Sequence, residues 1–286
     1  MRLFDAYITV DWSAASVPRR GKDSIWMRYE AAGRSRLLNP STRRQAMAVL
    51  ESWLAGSIRE GRRTLVGVDF NLGYPAGFAE RIGCKRWRDV WAEISRSSTD
   101  GPRNTNNRFQ TAARLNRRIT GQRGPFWGCP PSQEGETLGR KKSDAARDGL
   151  AELRMTEARI RGPKSAFQLS GVGAVGSQTL TGIAALERLR FRSRLAGDCR
   201  VWPFETGLRA PLDSPVVFAE VYPSQTPLPN ESGEVKDAAQ VRAVTRRLRR
   251  QDGQGKLRRL FEGPRGAGIA DRRKIVQEEG WILGVV

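Results

Sequence analysis

Two short stretches of the chain have nearly the same pattern, and each carries an aspartate at the same place. Residues 7–13 read Tyr-Ile-Thr-Val-Asp-Trp-Ser, and residues 65–71 read Leu-Val-Gly-Val-Asp-Phe-Asn. Apolar, β-branched runs of this kind are typical of buried strands. Parallel strands in α/β proteins carry their chemistry at their carboxyl ends. We therefore expect Asp11 and Asp69 to share one carboxylate site.

The chain contains no histidine. This excludes Ser-His-Asp and Cys-His nucleophile pairs, imidazole general bases and histidine metal sites. Cys84, Cys129 and Cys199 are widely spaced, so the sequence indicates neither a zinc ribbon nor a disulfide framework. For an enzyme, the most natural machinery that remains is a set of carboxylates with a hard divalent cation, Mg²⁺ or Mn²⁺.

Two further acids are expected at the same edge of the sheet. Glu220 lies near the end of an apolar run, where an unpaired carboxylate costs free energy. Asp237 lies four residues before Val241, which places it on the apolar face of a predicted helix. Each acid also has a structural interpretation: a turn cap through Ser13 for Asp11, an Asx-turn for Asp69, an arginine partner for Glu220 and a favourable helix dipole for Asp237.

A glycine-rich motif, Gly-Val-Gly-Ala-Val-Gly over 171–176, precedes a predicted helix. Gly171, Gly173 and Gly176 satisfy the G-x-G-x-x-G pattern, which can seat a phosphate at a helix N-terminus. A dinucleotide-binding unit also needs a strand before the motif and an acid ending the next strand. Residues 167–169 make a poor strand, and Asp198 begins the next strand instead of ending it. We therefore expect a simpler phosphate contact, whose other candidate residues are Lys164, Ser165 and Ser177.

The net charge of +20 and the pI near 11.1 favour a polyanionic partner, with nucleic acid or a nucleotide placed before a membrane surface. Only eight of the 50 basic residues are lysine, so genome base composition is an alternative cause. A predicted basic, partly irregular insertion covers 81–165, with no sustained periodicity over 96–148. Its Arg117, Arg118 and Trp127 are candidates for gripping single-stranded nucleic acid by charge and stacking, unless its aromatics dock on the core.

No apolar run approaches the ~18 residues that a membrane span needs. The N-terminus lacks a signal-peptide pattern, because Asp5 and Asp11 interrupt its apolar stretch. We therefore expect a cytoplasmic protein with reduced cysteines and no membrane partner.

The remaining patterns predict an α/β fold in a single domain over 1–286. Strands over 4–11, 24–31 and 35–38 form an antiparallel meander. A helix then begins at a capping box of Thr42 and Gln45, and a right-handed crossover through it places strand 64–69 parallel to the first strand. Further elements are strands over 201–204 and 216–222 and helices over 86–94, 145–160, 177–192, 235–250 and 270–279.

This order of elements resembles the ribonuclease H-like fold, and more narrowly a family of uncharacterised proteins described as predicted RNase H-like nucleases. The resemblance rests on four motifs: Val-Asp-Trp-Ser at 10–13, Gly-Val-Asp-Phe-Asn-Leu-Gly-Tyr-Pro at 67–75, Glu-Val-Tyr-Pro at 220–223 and Lys-Asp-Ala-Ala at 236–239. It covers roughly 1–80 and 198–250.

The resemblance implies a mixed sheet flanked by helices and a site for two divalent ions about 4 Å apart. By the same resemblance Asp11 would bridge both ions, Asp69 and Glu220 would hold one each, and Asp237 would complete the set. Lys164 or nearby arginines would neutralise the phosphate. The chain departs from the family at Gln240, where a second acid is often found.

The leading hypothesis from the sequence is thus a metal-dependent nuclease or resolvase-like phosphodiesterase acting on DNA or RNA. One alternative is a protein that binds a nucleotide or phosphorylated cofactor without hydrolysing it, for example in a molybdopterin-dinucleotide accessory role. Another is a basic module that binds nucleic acid without cutting it. The fold also hosts kinases, so it does not choose among these functions. The oligomeric state stays open.

Overall fold

The computed structural model describes residues 2–143, 149–228 and 233–286. Within them, six strands form one mixed sheet: β1 (Ala6–Asp11), β2 (Trp26–Ala31), β3 (Arg34–Leu38), β4 (Thr64–Val68), β5 (Cys199–Val201) and β6 (Val216–Glu220). Their spatial order is β3-β2-β1-β4-β6-β5. The first three strands form an antiparallel meander, whereas β1, β4, β6 and β5 are mutually parallel. The predicted mixed sheet is therefore confirmed.

Helices cover both faces of this sheet. In chain order they are α1 (Arg43–Arg59), α2 (Phe78–Arg81), α3 (Trp87–Ser97), α4 (Arg108–Ile119), α5 (Gly176–Arg192), α6 (Lys236–Gly253), α7 (Leu257–Leu260) and α8 (Ile269–Lys274), which continues into a π-helical turn, Ile275–Glu279. The larger core lies between one face of the sheet and helices α1, α3 and α5. A second core lies on the other face, beneath α6 and the C-terminal tail.

Local sequence explains why the first crossover forms. The Thr42 hydroxyl caps α1 by accepting the backbone N–H of Gln45 at 3.2 Å, as the capping-box spacing predicts. Leu50 and Leu54 then bury the inner face of the helix against the sheet. The helix ends before β4, which pairs in parallel with β1. The carboxyl ends of β1, β4 and β6 thus meet at one edge of the sheet.

Two expectations for the middle of the chain are wrong. The predicted helix over 145–160 lies partly outside the described residues, and over 149–160 the structure has only a short 3₁₀ turn, Glu157–Arg159. The stretch over 96–148 does contain a regular element, α4, which buries Ala112 and Leu115. Its apolar stripe is narrow and lies among four arginines, so the periodicity was too weak to predict it.

Two aromatic residues in the middle of the chain pack against the protein itself. Phe126 is fully buried and packs edge-on against Phe167 at 5.1 Å between ring centroids. The Phe109 ring lies beneath the Arg108 guanidinium at 4.3 Å. At these two positions the aromatics dock on the protein, as the alternative to a stacking strip required. In the part of the chain that the structure describes, no helix has the length and apolarity to cross a membrane.

Candidate active site

Asp11 and Asp69 lie side by side at the carboxyl ends of β1 and β4. The parallel register pairs Val10 with Val68, and the backbone N–H of Asp69 donates to the Val10 carbonyl at 3.0 Å. Continued by one residue, this register sets the two aspartates beside each other. Alternation along β1 puts Asp11 on the same face as Thr9, which accepts a hydrogen bond from Thr245 of α6. The pair therefore faces the side of the sheet that α6 covers.

These two carboxylates have no compensating charge. Neither accepts a side-chain hydrogen bond or forms an ion pair with any of the described residues. Burial, followed by the charges of Asp69, Asp237 and Asp23, raises the pKa of Asp11 well above its ordinary value. Burial, followed by Glu220 and Asp237, raises the pKa of Asp69 from 3.8 to about 7. Acids that raise each other's pKa in this way are a common mark of a functional site.

Asp237 joins this pair from the start of α6. It lies in the first turn of the helix and is half-buried, and its Oδ2 accepts the backbone N–H of Asp23 at 2.8 Å. Its charge contributes to the raised pKa of both other aspartates. The sequence-based placement of Asp237 near Asp11 and Asp69 agrees with this geometry. Gln240, one turn further along the helix, lines the same cleft.

Glu220 lines a cavity together with Asp11 and Asp69, but it reaches that cavity from the other face of the sheet. Glu220 pairs in register with Val68, one residue before Asp69, so alternation turns it to the opposite face of the sheet. There its Oε1 accepts a hydrogen bond from Arg154 Nη2 at 2.5 Å, and its Oε2 accepts the Leu72 backbone N–H at 2.9 Å. Burial raises the pKa of Glu220, and Arg154 opposes that rise. The arginine partner, which was the structural alternative, is present.

Arg154 is the centre of a buried charge network that the sequence did not reveal. Its guanidinium is fully buried and contacts the carboxylates of both Glu220 and Glu157. It also donates to the Glu279 carbonyl at 2.7 Å, and the Glu279 side chain accepts the Met155 backbone N–H at 2.8 Å. This network ties the segment after residue 149 to the C-terminal π-helical turn directly behind the site.

Two connected cavities meet at the aspartates. The larger, an open cleft of about 1270 Å³, lies between the start of α6, the loop after β1 and the glycine loop. The smaller, which we call the chamber, has a volume of about 240 Å³ and is lined by the aspartates together with Lys164 and Tyr222. Asp11, Asp69 and Gly173 line both. The acids and the glycine loop, which the sequence offered as separate features, thus belong to one site.

The glycine loop owes its shape to its glycines. Gly171 and Gly173 have positive φ angles of 103° and 74°, which side chains other than glycine rarely adopt. Gly176 begins α5, and a Cβ there would lie 2.5 Å from the Ala166 carbonyl oxygen. Lys164 is exposed and its aliphatic stem lies beside Gly173. Of the predicted phosphate-binding side chains, Lys164 is the one placed at the mouth of the chamber.

The serines predicted to bind phosphate have other partners. The Ser165 hydroxyl donates to the Glu152 carbonyl at 2.8 Å and accepts the Phe167 backbone N–H. The Ser177 hydroxyl donates to the Leu169 carbonyl at 2.6 Å and accepts from Arg108. Both serines are buried, so their role in this structure is to hold the loop in place. Ser13 lines the open cleft and makes long contacts of 3.3 Å within its own loop.

The candidates for nucleic-acid binding in the middle of the chain lie outside both cavities. Arg118 is engaged with the Glu93 carboxylate at 3.0 Å and with the Ile82 carbonyl. Arg117 is exposed on α4. Trp127 is half-buried, and its backbone pairs with Phe167 and Leu169. The structure does not bring these three residues to the aspartates, because α4 packs beside α5 on the other face of the sheet.

Sequence reasoning missed two residues of the chamber, Gln178 and Tyr222. Gln178 lies in the first turn of α5 and lines both cavities. Tyr222 follows β6 and its hydroxyl points towards Gly162. Tyr222 could have been found from the sequence, because it follows the predicted site residue Glu220 by two positions. Gln178 could not, since a glutamine in a helix is ordinary.

Asp11 and Asp69 could bind a divalent cation, although they do not form a complete set of protein ligands around it. Across the described residues, no group of three or more histidine, cysteine, aspartate or glutamate side chains is arranged to hold a metal ion. Mg²⁺ needs less than this, because it is usually bound by one or two carboxylates together with water and substrate phosphates. Asp11 and Asp69 have the oxygen ligands, the missing counter-charge and the open cleft that such binding requires.

Comparison of the chain with protein-family models, with curated proteins and with solved structures finds no match. The function must therefore be argued from the site itself.

Proposed function

We propose that the protein hydrolyses phosphodiester bonds of nucleic acid at Asp11 and Asp69, with a divalent cation as cofactor. One observation carries this proposal. The chain has 50 lysines and arginines, and several of its buried or half-buried acids contact one of them: Glu220 and Glu157 contact Arg154, and Glu205 contacts Arg190. Asp11 and Asp69 have no such partner among the described residues. A cation that is not part of the chain would supply the missing charge.

Mg²⁺ or Mn²⁺ bound by these carboxylates would activate water and stabilise the leaving oxygen of a phosphodiester. The chain's own residues divide the remaining tasks. Asp237 faces the same cleft and can orient water or accept a proton. Lys164 stands at the mouth of the chamber and can attract the substrate phosphate. Glu220 shares Arg154 with Glu157 and accepts the Leu72 backbone N–H, so in this proposal it shapes the backbone at Leu72 rather than holding a cation.

The topology agrees with the ribonuclease H-like fold that the sequence motifs suggested. That fold, too, begins with an antiparallel meander, returns through a helix and adds parallel strands beside the first. The observed order β3-β2-β1-β4-β6 has this form. The fold alone does not decide the activity. The net charge of +20 adds support, because it suits a polyanionic substrate.

The proposal is tested by measuring hydrolysis of single-stranded, duplex and branched DNA and RNA with and without Mg²⁺ or Mn²⁺. Wild type should cut at least one substrate only when the cation is present. Asp11→Asn and Asp69→Asn should each abolish the activity, whereas Asp213→Asn, at an exposed aspartate, should not. Cleavage that survives in the Asp11→Asn protein, purified identically, would refute the proposal.

A second function is supported by the same cavity. The glycine loop and Lys164 line a chamber in which Glu220 already pairs with Arg154, which suits a nucleotide or phosphorylated cofactor that is bound without being hydrolysed. This function predicts that mononucleotides raise the melting temperature in the absence of Mg²⁺. The absence of any shift across a panel of nucleotides would argue against it.

A further inference from the structure

The chamber has a position and a size that the acids alone do not explain. It shares Asp11 and Asp69 with the cleft and is also lined by Tyr222 and Ile282. Its volume is about 240 Å³, below the range of about 300–1000 Å³ that is usual for drug-sized ligands. It therefore has room for one small planar group next to the aspartates, whereas the cleft of about 1270 Å³ can follow a chain.

One side of the chamber is apolar and rigid. Trp12 and Phe70 follow the two aspartates in sequence, and their rings lie 6.0 Å apart. The Trp12 indole N–H donates to the Thr181 hydroxyl at 3.1 Å, which fixes its ring. Phe70 is packed beneath Gly182 of α5, where a Cβ would lie 2.6 Å from the ring. This wall is preorganised before anything binds.

The other side of the chamber offers polar groups without partners. The Gln178 side-chain amide and the Tyr222 hydroxyl have no hydrogen-bond partner among the residues that the structure describes. The amide can both donate and accept, and so can the hydroxyl. Tyr222 and Gln178 both line the chamber, and an aromatic ring together with an adaptable amide matches a nucleobase, which has a π face and an edge of donors and acceptors.

We propose that the chamber binds one unpaired nucleobase beside the bond that the aspartates cleave, with Tyr222 stacking on its face and Gln178 bonding to its edge. This inference rests on the proposed function and narrows its substrate. A base held in a duplex cannot enter a chamber of about 240 Å³ without leaving its stack. The preferred substrate is therefore single-stranded nucleic acid or a strand with an unpaired nucleotide at the cleavage point.

The test separates base binding from charge and from catalysis. Fluorescence anisotropy, recorded in EDTA, compares three labelled probes of equal length: a mixed-sequence single strand, the matching duplex and an oligomer of abasic nucleotides. Wild type should bind the single strand roughly 10-fold more tightly than the abasic oligomer, the loss expected for one stacked base. Tyr222→Leu should remove that difference without changing the affinity for the abasic oligomer. Equal affinity of wild type for the single strand and the abasic oligomer would overturn the proposal.

Two further variants show whether the effect belongs to the chamber. Tyr222→Phe keeps the ring, so it should keep most of the base-dependent affinity even where Tyr222→Leu folds poorly. Gln178→Ala should lose part of it, whereas Gln110→Ala, at an exposed site on α4, should lose none. Loss of base selectivity in the Gln110→Ala protein, or its survival in a folded Tyr222→Leu protein, would contradict the assignment.

Hydrolysis is measured separately with Mn²⁺, so that the two ideas can fail independently. Equal cleavage of the duplex and of the single strand would refute the base chamber and leave the nuclease proposal standing. Base-selective binding in EDTA with no cleavage of any substrate would refute the nuclease proposal and leave the base-binding chamber standing.

Discussion

Replacing Asp69 by asparagine should make the metal-free protein more stable, although it removes a residue of the active site. Asp69 lies beside Asp11 and forms no ion pair with any of the described residues. Burial and neighbouring acids raise its pKa to about 7. Asparagine has almost the same shape and carries no charge. The change therefore removes the cost of burying a charge, and the repulsion from the neighbouring acids, without creating a cavity.

The size of the effect follows from the pKa. The difference between 3.8 and about 7 corresponds to about 4 kcal/mol, at about 1.36 kcal/mol per pKa unit. Since asparagine still buries a polar amide, we expect a gain of about 2–4 kcal/mol at pH 8. For a chain of this size the melting temperature should rise by roughly 4–8 °C.

The effect of Asp69 on the free energy of unfolding depends on pH. Because the folded-state pKa of Asp69 is raised, the contribution of Asp69 to the stability of the wild type is most favourable below the unfolded pKa near 3.8, where the carboxyl is protonated in both states. Stability is then lost as the pH rises towards about 7 and changes little above it. The Asp69→Asn protein should show a smaller decline, because Asp11 still has a pKa raised by burial, so the two melting temperatures should converge near pH 4 and separate by pH 8.

The assay is thermal unfolding in EDTA from pH 4 to pH 8, followed by circular dichroism. Asp213→Asn, at an exposed aspartate, serves as the control and should follow wild type. Added Mg²⁺ should stabilise wild type at pH 8 and leave Asp69→Asn unchanged. An Asp69→Asn protein that melts below wild type at pH 8 in EDTA would refute the electrostatic argument.

Three other substitutions test contacts that hold the fold together. Arg154→Met should lower the free energy of unfolding by about 3–5 kcal/mol, because it leaves two buried glutamates without their cation, whereas the exposed Arg117→Met should change it by less than about 0.5 kcal/mol. Gly176→Ala should cost about 1–3 kcal/mol by overpacking, and Gly197→Ala, in open space, should cost little; chemical denaturation compares the two. Asp252→Ala should cost at least about 2 kcal/mol, because its carboxylate accepts two backbone N–H groups near the N-terminus and a buried tyrosine hydroxyl, and hydrogen exchange should show those N–H groups losing protection.

Much of the sheet could be predicted because its strands carry local signals. The runs before Asp11 and Asp69 are apolar and β-branched, and the capping box at Thr42 marks the start of the crossover helix. α4 escaped prediction because its buried stripe, which includes Ala112 and Leu115, is short and lies among arginines. Helical periodicity is informative only where the apolar face is broad.

The sequence likewise predicts some residues of the site and not others. Asp11, Asp69 and Asp237 could be predicted, since strand ends and helix starts place them without knowledge of the register. Glu220 could not, because a shift of one residue between neighbouring strands turns a side chain to the other face. Its partner Arg154 lies 66 residues away in sequence, and no local sequence pattern predicts such a contact.

The central claim is that Asp11 and Asp69 bind a divalent cation. Calorimetric titration of Mn²⁺ and Mg²⁺ into wild type and into the Asp11→Asn, Asp69→Asn double variant tests it most directly. We predict saturable binding by wild type that the double variant loses while it stays folded. Absence of binding by wild type, or equal binding by both proteins, would contradict the claim and leave the two aspartates without a catalytic role.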